Sequence, residues 1–177
     1  MEESETYWLK AHYLDASALV KLVAEDPDEE QGREVLRKYY WRHPSSMYTT
    51  SYCFAEALSA LKAKWLRRKI TEEQYIEHIR DFVRQIVGAN LRIDEVPILS
   101  VVGHAERLMA AHGIDFLDAF QIVTIINGQF KRLGPNSKTI LITADHNLIR
   151  AARAEGVKVW DCTKEPAPDQ IALRAAG

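Results

Sequence analysis

Four acidic residues, Asp15, Glu56, Asp118 and Asp145, fall at positions where carboxylates could do chemistry. Asp15 directly follows a short apolar segment, Glu56 comes about one helical turn after the next such segment, and Asp145 follows the apolar run at 139–143. Asp118 lies early in an otherwise apolar stretch, where an ionised carboxylate is costly to bury unless a positive group compensates it. Four carboxylates in one place would repel one another without a divalent metal, and an all-oxygen site suits Mg²⁺ or Mn²⁺. Such a site supports the hydrolysis of phosphodiester bonds.

Each of these acids also has a purely structural explanation. Asp15 and Asp145 stand where strands give way to helices, which is a common place for an N-cap aspartate. Asp115 is a better N-cap still, and it would put Asp118 in the first helical turn, where the helix dipole favours a carboxylate. Glu56 lies off the apolar stripe of its helix and could be an exposed glutamate. The structural explanation suffices for any one acid, and the convergence of four favours a metal site.

The elements that must position these acids can be inferred from apolar spacing. Short apolar runs predict strands at 12–14, 47–50, 91–96, 139–143 and 157–160. Amphipathic spacing predicts helices between them, and the segments at 28–31 and 71–74 have the form of capping boxes that begin two of these helices. Alternating strands and helices predict an α/β fold with a mainly parallel central sheet and helices on both faces. Ligands of such sheets bind at the carboxyl ends of the strands, where Asp15, Glu56 and Asp145 are expected.

Length and composition predict a single domain over 1–177, with a core at about 12–160 and a peripheral tail at about 163–177. A hydrophobic content of 47% and a charged content of 27% argue against disordered and collagen-like classes. No apolar run approaches the roughly 20 residues that cross a bilayer, and the first residues are acidic, so we expect a cytoplasmic protein without membrane contact. Cys53 and Cys162 match no metal-ligand spacing and are interpreted as reduced structural thiols.

The net charge of −2 gives no overall attraction for nucleic acid, so a polyanion must be bound locally. Two basic clusters could do so: Lys62, Lys64, Arg67, Arg68 and Lys69, and Arg33, Arg37, Lys38 and Arg42. Taken alone, either cluster is better explained as a solvated helix face, so both serve as secondary evidence. Our hypothesis is that Lys64, Arg67 and Arg68 contact phosphates. The six histidines show no zinc-ligand spacing, and of these only His146 falls near the acids.

Four motifs around the acids carry a resemblance to a known family. They are YLDASALVK at 13–21, AEA at 55–57, FLDAF at 116–120 and ILITAD at 140–145. In this order and spacing the chain resembles a PIN domain over about 12–160, and most of all the VapC-type ribonuclease toxins of prokaryotic toxin–antitoxin modules. The resemblance implies a three-layer α/β/α sandwich and a metal-dependent endoribonuclease.

The resemblance also assigns residues and partners. It implies that Asp15, Glu56, Asp118 and Asp145 hold Mg²⁺ or Mn²⁺, and that the hydroxyls of Ser17 and Thr143 support them. Asp161, just past the last predicted strand, is a possible peripheral acid. The implied partners are RNA, a second copy of the chain in a homodimer, and a cognate antitoxin that covers the acidic pocket.

Two other functions fit parts of the sequence. A haloacid-dehalogenase-like phosphatase also begins with an aspartate at a strand end, but its chemistry needs D-x-D, and Ser17 occupies the second position. A non-catalytic PIN-like module that binds RNA or protein needs no metal site, and the presence of all four acids argues against it. No GxSxG, GxxxxGK[ST], GxGxxG or HExxH motif occurs in the chain.

Overall fold

The computed structural model of the chain describes residues 11–88, 91–130 and 139–168. These residues form a five-stranded sheet of β1 (Ala11–Leu14), β2 (Met47–Thr49), β3 (Leu91–Ile93), β4 (Thr139–Thr143) and β5 (Val159–Asp161). The strand order is β3-β2-β1-β4-β5, and every neighbouring pair is parallel. Parallel pairing brings the carboxyl ends of the strands to one edge, which we call the carboxyl edge. The predicted parallel sheet is confirmed.

Helices cover both faces of the sheet. Within the described residues they are α1 (Ala16–Val23), α2 (Arg33–Arg42), α3 (Ser51–Leu66), α4 (Glu72–Asp81), α5 (Val102–His112), α6 (Phe116–Asn127) and α7 (His146–Ala154). The first four helices pack with Leu14 and Ile142 in one apolar cluster, whereas α5, α6 and α7 pack with Tyr13 and Leu141 in a second. Successive strand residues point to opposite faces of the sheet, so β1 and β4 supply both clusters. The three-layer α/β/α sandwich is therefore confirmed.

The two expected capping boxes have different outcomes. The Thr71 hydroxyl accepts from the Gln74 N–H at 3.2 Å and the Gln74 side chain accepts from the Thr71 N–H at 2.9 Å, which confirms the box that begins α4. The other segment does not begin a helix, because Pro27–Glu29 form a 3₁₀ turn capped by Asp26 and α2 starts only after Gly32. Gly32 has a φ of 76°, a conformation that interrupts a helix and that glycine adopts most readily.

Several element boundaries also differ from the prediction. The third strand ends at Ile93 rather than at 96, and the last strand runs to Asp161. A 3₁₀ turn, Ile98–Ser100, precedes α5, and a π-helical segment, Phe82–Val87, continues α4. The sixth helix, α6, ends at Asn127.

The first part of the expected tail contributes to the core. Ala167 is only 3% exposed and belongs to the cluster that contains α1. The indole N–H of Trp160 donates to the Glu165 carbonyl at 3.1 Å, and the Glu165 carboxylate pairs with Arg153 at 2.5 Å. These contacts pin residues 163–168 against the sheet, contrary to the peripheral placement expected, while 169–177 lie outside the described residues.

Cys53 and Cys162 are both buried, and neither forms a disulfide. Burial raises the pKa of Cys162 to about 12, which keeps the thiol protonated and unreactive at neutral pH. Both features agree with reduced, structural thiols.

No single helix within the described ranges is long and apolar enough to cross a membrane. The bent pair of α5 and α6 meets the length and composition criteria only when the two helices are taken together.

Four charged side chains pair with one another where α1, α3 and the 3₁₀ turn meet, and we call Lys21, Asp26, Glu29 and Lys64 the ion cluster. The Lys64 ammonium lies 2.9 Å from Asp26 Oδ1 and 2.9 Å from Glu29 Oε1, and the Lys21 ammonium lies 3.1 Å from Glu29 Oε2. All four side chains are at most 16% exposed. The cluster thus joins α1 to α3 by charges that are largely shielded from water.

Candidate active site

The carboxyl edge of β1 and β4 carries Asp15 and Asp145, as the sequence predicts. Asp15 follows Leu14, the last residue of β1, and its N–H donates to the Ile142 carbonyl in β4 at 3.1 Å. Asp145 lies two residues beyond Thr143, the last residue of β4. Each aspartate is also the N-cap of the helix that follows, α1 and α7 respectively. Both residues therefore cap a helix and lie where ligands of parallel sheets bind.

Hydroxyl groups hold the Asp15 carboxylate in place. Its Oδ2 accepts hydrogen bonds from Ser17 Oγ at 2.6 Å, from Thr143 Oγ1 at 2.9 Å and from the Ser17 N–H at 3.2 Å. The Asp145 N–H donates in turn to Thr143 Oγ1 at 2.9 Å, so a chain of hydrogen bonds joins the two aspartates. Burial raises the pKa of Asp15, and the bonds from Ser17 and Thr143 oppose the rise because they favour the charged form. Ser17 and Thr143 therefore orient Asp15.

Asp145 and Asp115 use their carboxylates to cap helices. Oδ1 of Asp145 accepts from the N–H groups of Asn147 at 2.7 Å and Leu148 at 3.0 Å. Oδ1 of Asp115 accepts from the Asp118 N–H at 3.0 Å at the start of α6. These capping bonds involve only one oxygen of each carboxylate. Helix capping and ligand binding through Oδ2 are therefore compatible.

Glu56 on α3 and Asp118 on α6 lie within electrostatic reach of the other acids. Desolvation raises the pKa of the half-buried Asp118 to about 7, with further contributions from the carboxylates of Asp115, Asp15, Asp145 and Glu56. Glu56 is exposed, yet partial desolvation raises its pKa, and the carboxylates of Asp15, Asp115 and Asp145 add to the shift. Carboxylates shift one another in this way only when they are close. These shifts indicate that the four predicted acids and Asp115 lie within electrostatic reach of one another near the carboxyl edge, and we call these five residues the acid group.

The donor chemistry of the acid group fits a hard divalent cation, because carboxylate oxygens are the ligands that Mg²⁺ and Mn²⁺ prefer. A cation would also offset the repulsion that raises the pKa of Asp118. Within residues 11–88, 91–130 and 139–168, no three His, Cys, Asp or Glu side chains are arranged so that together they could hold a metal ion. The acids therefore share one edge without forming a ready chelate, and their assignment as ligands is a proposal.

Asp115 is the site residue that the sequence analysis missed, since it was interpreted only as an N-cap. Its electrostatic contributions to both Asp118 and Glu56 place it within the acid group. The signal was present in the sequence, because an N-cap aspartate three residues before Asp118 must lie within one helical turn of it.

Asp161 lies at the border of this site. It ends β5, where it is paired in register with Thr143, and its Oδ1 accepts from the Thr163 N–H at 2.9 Å and hydroxyl at 2.6 Å. Its Oδ2 is 3.9 Å from the ring of His146. Asp161 is not among the acids that shift the pKa of Asp118 or Glu56. Its first role is therefore to shape the turn after β5.

Lys64 faces inward, which corrects the hypothesis that it contacts phosphate. It continues the buried line of α3 that is formed by Cys53, Ala57 and Leu61. Phe54 and Leu58 pack at the border of this line against the same apolar cluster. Because its ammonium is already held by two carboxylates of the ion cluster, Lys64 has a structural role. Arg67 and Arg68 are exposed, so the hypothesis that they contact phosphates stays a prediction.

Other basic residues also contact the protein itself. The ammonium of Lys62 lies 3.9 Å from the centre of the Trp65 ring. The guanidinium of Arg37 donates to the Leu22 carbonyl at 2.7 Å, near the end of α1. Much of the positive charge in the two clusters is therefore used to hold helices together.

A cavity of about 630 Å³ lies away from the acid group, between α1, α2 and the end of α4. Arg37, Trp41 and Asp81 are among the residues that line it, and none of the acid group does so. We place the candidate site at the carboxyl edge because the coupled carboxylates, rather than the volume of a cavity, identify the chemistry.

Comparisons with known proteins identify the family and the fold. No curated protein sequence matches the chain. The crystal structure of PAE2754 from Pyrobaculum aerophilum is similar, with a TM-score of 0.56, 18% sequence identity and coverage of 98% of each chain. At that identity the likeness supports the fold alone. The sequence of residues 12–154 matches the PIN domain family, and this match contains every member of the acid group. Since the match spans most of the chain and the fold agrees with it, the chain belongs to the PIN domain family.

Proposed function

We propose that this chain is a divalent-metal-dependent endoribonuclease whose acid group binds Mg²⁺ or Mn²⁺. PIN domains are generally nucleases and typically use divalent metals. The observation that carries the proposal is that four carboxylates, those of Asp115, Asp15, Asp145 and Glu56, add to the desolvation that raises the pKa of Asp118. Such a group repels phosphate unless a cation lies between them, because like charges at short range repel strongly where water is partly excluded. Cleavage of RNA in particular is supported by the resemblance to VapC-type ribonucleases.

In this proposal Asp15, Glu56, Asp118 and Asp145 hold the cation. When bound, an ion of this kind activates water for attack on phosphorus and offsets the charge of the phosphate. Ser17 and Thr143 keep the Asp15 carboxylate oriented through the bonds to Oδ2. Asp118, whose pKa of about 7 leaves it partly protonated near neutral pH, loses its proton when a positive charge favours the ionised form.

A cleavage assay tests this function. The purified chain is incubated with single-stranded and structured RNA in Mg²⁺, in Mn²⁺ and in excess chelator. We expect cleavage only with a divalent ion, and a loss of at least about a hundredfold in Asp15→Asn and Asp118→Asn, because each change removes a charged oxygen donor. Asp28→Asn is the matched control, since Asp28 is an exposed acid paired with Lys69 at 3.4 Å, and it should cleave normally.

The outcomes separate the alternatives. Cleavage that persists in chelator contradicts metal dependence, and unchanged cleavage by both aspartate variants contradicts the proposed site. RNA binding by the wild-type chain without cleavage under any metal condition would favour the non-catalytic PIN-like module.

We further propose a biological setting, a cytoplasmic VapC-type toxin that forms a homodimer and is covered by a cognate antitoxin. The support for the toxin is the motif resemblance. The support for the dimer is that Ile76 on α4 and Val83, seven residues on, are 49% and 51% exposed. Growth arrest on expression in bacteria, absent for Asp15→Asn, tests the toxin role, and light scattering tests the dimer. Normal growth with an active nuclease would contradict the toxin role alone.

A further inference from the structure

A buried hydrogen bond joins the two helices that carry Glu56 and Asp118. The Cys53 thiol of α3 donates to Oε1 of Gln121 in α6 at 3.3 Å, and we call these residues the Cys53–Gln121 pair. Their side chains are 2% and 0% exposed. The bond connects residues 68 positions apart in sequence, and α3 and α6 belong to the two apolar clusters on opposite faces of the sheet. The pair therefore links the two helical layers at the carboxyl edge.

The position of the pair in each helix relates it directly to the acids. Cys53 precedes Glu56 by three residues and Gln121 follows Asp118 by three, so each lies about one helical turn from its acid. Burial raises the pKa of the Cys53 thiol, and the charge of Asp15 raises it further, so the thiol lies within electrostatic reach of the third acid. The Cys53 thiol is therefore close to all three acids, Asp15 after β1, Glu56 on α3 and Asp118 on α6.

The chemistry of Gln121 is unfavourable for a purely structural residue. Its Nε2 is buried and has no hydrogen-bond partner among the described residues. A buried amide with an unused donor destabilises a fold, and a leucine or methionine of similar size would avoid that penalty. A glutamine at this position is therefore better explained by the hydrogen bond that its Oε1 accepts from the Cys53 thiol.

We infer that the Cys53–Gln121 pair is a positioning pair that sets the spacing of Asp15, Glu56 and Asp118, and with it the affinity of the acid group for a divalent cation. This inference rests on the proposed function. The acids repel one another, so the helices that carry them tend to separate unless a direct bond opposes the separation. The Cys53–Gln121 hydrogen bond lies about one turn from Glu56 and from Asp118 and near Asp15, and it opposes this separation.

Calorimetric titration with Mn²⁺ on the full chain measures this effect. We expect Gln121→Leu and Cys53→Ala each to raise the Kd for Mn²⁺ by about tenfold, as found when groups that orient metal ligands are removed. The double variant should be no weaker than the single variants, because both changes break the same bond. Cys53→Ser keeps a donor and should stay within about threefold of the wild-type chain.

Thr124→Val is the matched control for packing. Thr124 lies one turn further along α6, is 0% exposed and has an Oγ1 without a partner among the described residues, so its replacement changes the helix interior without touching the pair. Its Kd should match that of the wild-type chain. Gln121→Met, which keeps the volume, replaces Gln121→Leu if thermal unfolding shows that the leucine variant does not fold.

The titration separates the proposed function from the positioning role. A wild-type chain that binds no Mn²⁺ overturns the proposed function. A wild-type chain that binds Mn²⁺ together with an unchanged Kd in Gln121→Leu or Gln121→Met overturns the inference alone. An equal loss of affinity in Thr124→Val also overturns it, since that result would assign the effect to packing.

Discussion

The ion cluster and the acid group both gather charge at the ends of helices, but only the ion cluster is neutralised from within. Its two lysines and two acids approach to 2.9–3.1 Å. In the acid group four carboxylates act on Asp118 and raise its pKa beyond the effect of desolvation. Paired charges help to hold helices together, whereas carboxylates without a counter-charge destabilise the fold and are typical of sites that bind a cation or substrate. Whether a charged side chain has a partner of opposite charge therefore distinguishes structural residues from candidate functional residues better than the residue type does.

The largest effect is expected in the ion cluster. Lys64→Met should lower the free energy of unfolding by about 3 kcal/mol, because it leaves Asp26, with a side chain 2% exposed, without its ammonium partner. Urea unfolding at pH 7 measures the change. Lys69→Met is the control, since it removes an exposed pair with Asp28 and should cost less than about 1 kcal/mol. Equal losses in the two variants would mean that burial adds nothing to the Lys64 pair.

In the acid group we expect a substitution to raise the free energy of unfolding rather than lower it. Without divalent metal at pH 8, Asp118→Asn should raise the free energy of unfolding by about 1–2 kcal/mol, because it removes a charge that partial burial and the neighbouring carboxylates oppose. The raised pKa of Asp118, from 3.8 to about 7, means that the native state loses stability as the pH rises between these values. The gain should therefore be absent below pH 4, grow through this window and level off above about pH 7.

Thermal unfolding of both proteins across this pH range measures the gain. Saturating Mg²⁺ should reduce the stability difference between Asp118→Asn and the wild-type chain at pH 8, because a cation stabilises the wild-type chain more than the variant. An Asp118→Asn protein that is less stable at every pH would show that the carboxylate serves the fold rather than a ligand.

The smallest effect concerns the exposed arginines of the first basic cluster. Removal of both side chains in Arg67→Ala with Arg68→Ala should weaken RNA binding and flatten its salt dependence, by about 0.7 in slope for each phosphate of single-stranded RNA that the variant no longer binds. Filter binding at several salt concentrations measures the slope. Lys64→Met should leave the slope unchanged, because that ammonium is already paired. The reverse pattern would mean that the ion cluster opens to bind RNA.

Much of the fold was predictable because its signals are local. The apolar run at 139–143 is a buried parallel strand, as expected, and Thr71 with Gln74 begins α4 as a capping box. The start of α2 was predicted wrongly, because a glycine with a positive φ interrupts the helix. Gly32 also lies against the Cys162 carbonyl, where a Cβ would clash, and a four-residue pattern does not contain a contact with so distant a residue.

Part of the candidate site was also predictable from local signals. Asp15 lies one residue past β1 and Asp145 two residues past β4, so strand prediction alone puts both at the carboxyl edge. Ser17 and Thr143 were implied by the family resemblance, and each forms a hydrogen bond with the acid two residues away from it. The inward direction of Lys64 was not predictable, because the carboxylates that hold it, Asp26 and Glu29, lie far from it in the sequence.

By itself the sequence determined the order of strands and helices and the placement of acids at strand ends, since both depend on spacing within a few residues. Only the tertiary structure decided which charges are paired. Lys64 meets Asp26 across 38 positions and Cys53 meets Gln121 across 68, and contacts of that range exist only after the helices have packed on the sheet. Charge compensation is a property of neighbours in space, and for that reason the acid group became distinguishable from the ion cluster only in the folded chain.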